Sequence, residues 1–405
     1  MKSSNFQIRK RISELLWTVA ILLYGAIAFI RNTLLINIIN VSDVRLHHLA
    51  VLGVILLLIK EILEFRFEKE YILKSLILGV FLGVVFLVSF LWAGDSTLQK
   101  YAAQVLCYVF AARNISWKHT GTIVGCEFLL LLLMLFLLSN AGRLPNFVFI
   151  QSGGSRVRES IGFSYCLQFM ACFLNAVLLL LSARENKIHI VTLALLLTAD
   201  IVVYSLTDAR IGFTGIGIAV IAALINKLFP QLFGKIRPLF WVLAFSPIIY
   251  MVLSVIFAEL YNPDVAWMNA LDEKLESRLA LSHLGLKKYG LSLFGQYVDW
   301  HGAGATSNGY TVLDTSTYNW VDNVYIKELI DHGIIYEMFL LVLLTIALIQ
   351  CMCEERYLCI LLIALLYGVG LIDDNLRLYC YNSMILFIGV MFMRINRHNV
   401  GNVSE

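Results

Sequence analysis

Apolar runs of bilayer-spanning length recur along almost the whole 405-residue chain. The run Phe128 to Leu138 contains no polar side chain at all, and comparable runs follow one another with only short polar breaks. An ordinary soluble domain carries roughly 25% charged residues. Here the charged fraction is 15% and the hydrophobic fraction 60%. Such a chain is predicted to fold in lipid, where helices satisfy their own backbone groups. Net charge, 31 − 28 = +3, is too close to neutral to indicate a nucleic-acid partner or an acidic soluble substrate. The polar, basic opening Met1 to Arg11 leads into an apolar run without a small-residue cleavage site, which reads as a retained first span.

A window of roughly 19 residues predicts about twelve transmembrane helices, near 14–34, 46–63, 73–92, 98–112, 120–139, 160–182, 187–205, 211–228, 238–258, 332–352, 356–372 and 378–393. The fold class is therefore an all-α polytopic membrane protein, one integral domain over residues 1–405. Placing the N-terminus inside puts most lysines and arginines in cytoplasmic segments, among them Lys60, Arg113 and Arg356. Both termini then face the cytoplasm.

Composition changes for any distance in one place, the long extracytoplasmic loop 259–321 between spans nine and ten, which gathers acids, bases, glycines and tyrosines. Loops of this length tend to carry function. Trp267 to Tyr289 has helical periodicity with Leu271, Leu275, Leu279 and Leu286 on one stripe, which predicts an amphipathic helix ended by Gly290. Phe294 to Trp320, with Gly295, Gly302, Gly304 and Gly309, reads as irregular, and Val321 to His332 as a short helix entering the next span.

Four charged clusters fall on that same side, where ionisable groups are expensive and tend to mark substrate paths. They are Arg156-Val157-Arg158-Glu159 ahead of Gly162-Phe163; the turn Thr207-Asp208-Ala209-Arg210; Glu276-Ser277-Arg278 with His283; and Asp322-Asn323-Val324-Tyr325 with Asp331 and His332. Arg278 lies within about 60° of the leucine stripe on a helix of 3.6 residues per turn. Guanidinium groups bind phosphate oxygens bidentately and stay charged, so converging arginines suit a diphosphate without a metal. Snorkelling to headgroups is the competing reading, and the one preferred for Arg31, Arg45 and Arg143. Arg158, Arg210 and Arg278 sit beside acids or glycines, which favours function.

Other chemistries leave little trace. There is no phosphate-binding glycine loop, metalloprotease helix or nucleophile elbow. Gly153-Gly154 reads as a turn. His47-His48 lacks a third ligand, and Cys351, Cys353 and Cys359 have no histidine nearby for zinc. None of the eight cysteines falls in an outside loop, so no disulfide framework is expected. With these motifs weak or absent, no metal or other cofactor is expected either.

The order of these motifs resembles the Wzy polysaccharide polymerases of capsule, exopolysaccharide and O-antigen synthesis, which are similar to the O-antigen ligases. The resemblance rests on Arg158 before Gly162-Phe163, the Thr-Asp-Ala-Arg turn at Arg210, a long loop with Arg278 and Leu293-Phe294-Gly295, and Asp322-Asn323-x-Tyr325 followed by Gly333-Ile334-Ile335. Its motifs cover residues 150–350. Many family members follow Gly-Phe with Pro-Asn where this chain has Ser164-Tyr165, and ligases show His-Asn where it has Asp322-Asn323, which favours polymerase over ligase.

The resemblance implies a GT-C-like membrane glycosyltransferase in the bacterial inner membrane. It would transfer a growing glycan from undecaprenyl diphosphate to the sugar of a second lipid-linked repeat, outside the cytoplasm. Its partners would be that lipid-linked oligosaccharide, membrane lipids, and flippase and chain-length regulator proteins. On this reading Arg210 and Arg278 clamp the diphosphate, and Arg158 makes a further phosphate or sugar contact. His283 or Asp322 acts in proton transfer or acceptor positioning, and Arg156, Asp208, Asn323, Tyr325 and Trp300 bind substrate. Candidate proton acceptors are Asp208, Glu276, His283, Asp299, His301 and Asp322. A ligase to a foreign acceptor and a lipid-oligosaccharide flippase or transporter are the alternatives. A flippase predicts a repeat between halves, and none is evident.

Overall fold

In the computed structural model, residues 2–39, 42–65, 67–91, 97–150, 156–302, 305–306, 309–310 and 318–392 are described. Gly153-Gly154 and Gly304 lie outside the described residues.

The chain is mostly helical. It opens with α1 (Lys2–Arg31), the short α2 (Leu35–Ile39), α3 (Asp43–Glu64), α4 (Lys69–Leu91), α5 (Thr97–Ala111) and α6 (Trp117–Asn140). A two-stranded antiparallel hairpin, β1 (Val148–Ile150) with β2 (Val157–Glu159), leads into α7 (Gln168–Arg184), α8 (Ile190–Thr207) and α9 (Arg210–Leu228). Next come α10 (Pro230–Lys235), α11 (Arg237–Ala244), α12 (Ser246–Leu260), α13 (Ala266–Lys274) and α14 (Arg278–Tyr289). The small hairpin β3 (Ala305–Thr306) and β4 (Gly309–Tyr310) precedes α15 (Val324–Asp331), α16 (Gly333–Cys353), α17 (Tyr357–Val369) and α18 (Leu386–Phe392).

Among the described residues seven helices are long and apolar enough to cross a membrane. The pair α11 and α12 makes an eighth candidate if counted as one span bent by 59°. That bend has a local cause: Pro247 in the first turn of α12 has no N–H to continue the ladder, and the chain breaks at Phe245. The architecture is that of an all-α, polytopic, membrane-embedded protein.

Close helix approach in the bundle uses small residues. On α6, Gly121 and Gly125 lie one turn apart facing α7, where an added Cβ would meet Leu179 O at 2.9 Å and Leu180 Cγ at 2.8 Å. This small-xxx-small spacing lets two apolar helices touch backbone to backbone. Lys60 and Arg113, which the sequence assigns to cytoplasmic segments, are fully buried. Lys60 Nζ meets Glu61 at 3.1 Å and Glu64 at 2.9 Å, and Arg113 also pairs with Glu61. A cation among apolar helices has to be paired, and here the acids come from α3.

Besides the span broken at Phe245, two further expected elements are not continuous helices. The single helix over Trp267–Tyr289 is α13 and α14, separated at Glu276 and Ser277, both with positive φ (54° and 65°). Buried Asp272 makes the break affordable: its Oδ1 accepts the Leu279 and Ala280 N–H groups at 2.8 and 3.2 Å, and Tyr261 donates to its Oδ2 at 3.0 Å. A carboxylate from the preceding helix thus performs the usual N-cap role. The leucine stripe is not continuous, so the placing of Arg278 follows from the break. Gly290 does end α14, at φ 69°.

The expected span 378–393 is helical only from Ser383, through a short 3-10 turn into α18. Non-helical backbone at membrane depth is tolerated where protein satisfies it. Asn175, buried in the otherwise apolar middle of α7, donates to Cys380 O at 3.0 Å and accepts from Ser383 N at 3.1 Å. The Leu293-Phe294-Gly295 and Gly333-Ile334-Ile335 motifs pack on each other, with Ile335 N donating to Leu293 O at 3.2 Å and Ile334 N to Ser292 O at 3.0 Å. Gly295 and Gly333 have φ of 82° and 87°, and a Cβ on either would collide with the backbone of the other segment.

Replacing Asn175 by Ala strands two buried backbone groups, each costing about 1–3 kcal/mol. The expected outcome is a clearly lower melting midpoint in detergent, followed by size-exclusion after heating. An unchanged midpoint would show that Asn175 is not what holds the broken segment.

Candidate functional site: an arginine-rimmed cavity

Strand geometry places the first cluster. Side chains two apart on a strand share a face, so Arg156 and Arg158 point to the same side of the hairpin while Val157 is exposed. Asn146 fastens the hairpin, donating to Glu159 at 2.7 Å and accepting from Ile161 N at 2.9 Å. The second cluster sits where α8 ends: Asp208 takes the left-handed conformation (φ 44°), Ala209 turns the chain, and Arg210 opens α9.

These segments meet the break between α13 and α14 around one cavity of about 980 Å³, its open mouth included. Arg156, Arg158, Asp208, Arg210, Glu276 and Arg278 all line it. Its remaining walls are largely apolar, from Met170, Ala171 and Leu174 of α7 and Leu366 and Val369 of α17, with Asp373 beyond. Clusters separated by up to 120 residues therefore form one charged rim over an apolar floor.

The arginines are not equivalent. Arg156 is a brace: it pairs with the Asp208 carboxylate, donates to Asp208 O at 3.0 Å and reaches Glu276 at 3.2 Å. Burial would raise the Asp208 pKa, but the Arg156 guanidinium outweighs it and holds the carboxyl below its ordinary value. Arg158 lies farther from the same acids, 4.0 Å from Asp208 and 3.9 Å from Glu276. Arg278 lies 3.6 Å from Asp322. The Nε atoms of Arg158 and Arg278 are buried without a hydrogen-bond partner among the described residues. Arg210, 3.7 Å from Asp208, keeps 66% of its side chain exposed at the mouth.

The fourth cluster divides. Asp322 faces Arg278, and its carboxyl is raised by burial and by Asp374, against the opposing pull of Arg278 and Lys327. Asn323 is a cap: its Oδ1 accepts Ile326 N at 3.1 Å while its Nδ2 donates to Ser254 and Leu371 O, both at 3.0 Å. Tyr325 is fully buried and donates to Tyr367 O at 2.7 Å. His283 does not line the cavity; its Nδ1 lies 2.8 Å from Ala258 O, between α14 and α12. Asp299 and His301 pair with each other at 3.2 Å on the loop surface.

Trp300 is also structural. Its Nε1 donates to Asp331 at 2.9 Å, within a buried ionic knot that the sequence reading missed. Lys327, fully buried, bonds Asp374 at 2.7 Å and lies 3.1 Å from the centre of the Trp320 ring. Burial pulls its pKa down to about 8, against Asp374. Arg377 bonds Glu328 at 2.6 Å and pairs with Asp331, and His332 Nδ1 sits 2.6 Å from Glu328. The knot fixes residues 373–377, one wall of the cavity, to α15. The acidic pair Asp373-Asp374 closing an apolar run was the available signal. Among the described residues no three His, Cys, Asp or Glu side chains are grouped to hold a metal ion.

A depressed carboxyl stabilises the fold fully above its unfolded value of about 3.9 and loses that contribution as pH falls through the lower folded value. The stability gap between wild type and Asp208→Asn is therefore expected to be constant from pH 7 to about 4 and to shrink below that. Melting midpoints across this range check it, and a gap unchanged at pH 2 would contradict the Arg156–Asp208 brace. No protein-family model, curated protein or solved structure matches this chain.

Proposed function

We propose that the chain is a Wzy-type polysaccharide polymerase, a metal-independent glycosyltransferase of GT-C-like architecture with about twelve spans. It sits in the bacterial inner membrane with both termini in the cytoplasm and the arginine-rimmed cavity outside. A growing glycan leaves undecaprenyl diphosphate for the sugar of an incoming lipid-linked repeat. Flippase and chain-length regulator proteins supply and limit that traffic.

The observation that carries this reading is the cavity itself. Arg158 and Arg278, from segments far apart in sequence, line one space, and their buried Nε groups have no hydrogen-bond partner among the described residues. An unpaired buried donor is costly, and an anionic ligand would satisfy both. A diphosphate leaving group develops negative charge as the glycosidic bond breaks, and fixed guanidinium groups in a partly dehydrated site stabilise it without reorganising. The apolar floor formed by Met170, Leu174, Leu366 and Val369 suits a ligand whose charged head continues into hydrocarbon. Arg156 and Asp208 serve as the frame of this site, while Asn323, Tyr325 and Trp300 hold its walls.

Purified protein incubated with the lipid-diphosphate repeat unit from its own gene neighbourhood is expected to give a ladder of lengthened glycans. Arg158→Ala and Arg278→Ala each remove a charge-assisted contact worth about 1.5–3 kcal/mol and slow the ladder by about tenfold or more. A chelator leaves it unchanged. Unaltered substrate, or transport of it without lengthening, would overturn the polymerase reading; restoration of a chelated enzyme by a divalent ion would overturn its metal-free part.

A further inference from the structure

A hydroxyl attacking the sugar bound to a diphosphate must lose its proton to a group within reach, and the cavity narrows the choice. Of the carboxylates lining it, Asp208 is bound to Arg156, and Glu276 is shared between Arg156 and Arg158. Asp322 and Asp374 do not line it; the first faces Arg278 and the second is taken by Lys327. His283 is tied to Ala258 O, and Asp299 and His301 lie on the loop surface away from the cavity.

Asp373 differs from all of these. It lines the cavity and, among the described residues, forms no ion pair. The Asn375 N–H donates to its Oδ1 at 2.9 Å, fixing the carboxyl group through the backbone of its own turn, and among the described residues Oδ2 takes no hydrogen bond. That turn is immobilised from behind, because Asp374 is held by Lys327 and Arg377 by Glu328 and Asp331.

We propose that Asp373 is the proton acceptor of this site, an inference that rests on the polymerase reading above. In the step it serves, the acceptor sugar's O–H bond breaks and its proton moves to Asp373. The freed oxygen bonds the anomeric carbon, and the anomeric C–O bond to the diphosphate breaks, its electron pair leaving on the diphosphate beside Arg158 and Arg278. Asp373 then returns the proton to water at the cavity mouth.

Asp373 carries the electrostatics this role needs. Burial, helped by Asp374 and Asp322, raises its carboxyl to about 7, with Arg278 opposing. Across the cavity stand Arg156, Arg158, Arg210 and Lys274 with Asp208 and Glu276; behind it, Lys327 and Arg377 are already neutralised by acids. A base poised near neutral pH takes a proton readily and returns it readily.

The test compares wild type, Asp373→Asn and Asp373→Glu in the ladder assay between pH 5 and 9, with binding of undecaprenyl diphosphate measured alongside. Asp373→Asn is expected to bind undecaprenyl diphosphate as wild type does yet to turn over about a hundredfold or more slowly. Wild-type rate should rise through about pH 7, a limb the Asn variant lacks. Asp373→Glu should recover part of the rate. A D373N ladder within a few-fold of wild type with the same pH limb would overturn the proposal and leave the polymerase reading intact. Loss of binding in step with turnover would overturn it too, since the residue would then hold ligand or fold. A wild-type protein that binds and lengthens nothing would overturn the polymerase reading and this inference with it.

Discussion

The ion pair between Arg156 and Asp208 ties the β1–β2 hairpin to the turn between α8 and α9, and the cavity hangs on that tie. Guanidinium groups set against apolar helices lose solvation that must be returned by acids, backbone carbonyls or a ligand. Arg156 receives it from Asp208 and Glu276 together, so the fold can hold a cation there permanently. Arg158 and Arg278 receive less, with carboxylates at 3.6 to 4.0 Å and their Nε atoms without a hydrogen bond among the described residues. Arg156 is thus braced by acids while Arg158 and Arg278 are under-satisfied, and that difference is what the proposed anion site rests on.

The same economy governs the opposite wall. Lys327, Glu328, Asp331, His332, Asp374 and Arg377 would each be prohibitive alone in an apolar setting, and together they close a network in which cations and acids alternate. Trp300 and Trp320 from the long loop join it by a hydrogen bond and a ring face. The network therefore couples three segments, the loop, α15 and residues 373–377, and gives the cavity a rigid side against which a ligand can be oriented.

Much of the site was legible in the sequence. Arg156 and Arg158 two apart, Arg210 in an acid-containing turn and Arg278 beside Glu276 were each marked by charge in an apolar chain, and these residues line the same cavity. Their unequal roles were not legible, because whether a guanidinium is braced or open depends on partners up to 120 residues away. Asn323 and Tyr325 were read as ligand contacts, but their side chains are committed to capping α15 and to Tyr367 O. The fold shows the same boundary. Hydropathy marked the apolar stretch after 378, but it cannot see that Asn175, 208 positions away from Ser383, satisfies a broken backbone there. Asp272 likewise divides a helix whose periodicity alone reads as continuous.

The proposed function requires the arginine-rimmed cavity to hold the head of a lipid diphosphate. A cryo-electron microscopy map of the protein reconstituted with undecaprenyl diphosphate tests it most directly. Diphosphate density is expected within hydrogen-bond reach of the Arg158 and Arg278 guanidinium groups, with hydrocarbon density continuing along Met170 and Leu174. An empty cavity with the lipid head bound elsewhere on the protein would contradict it.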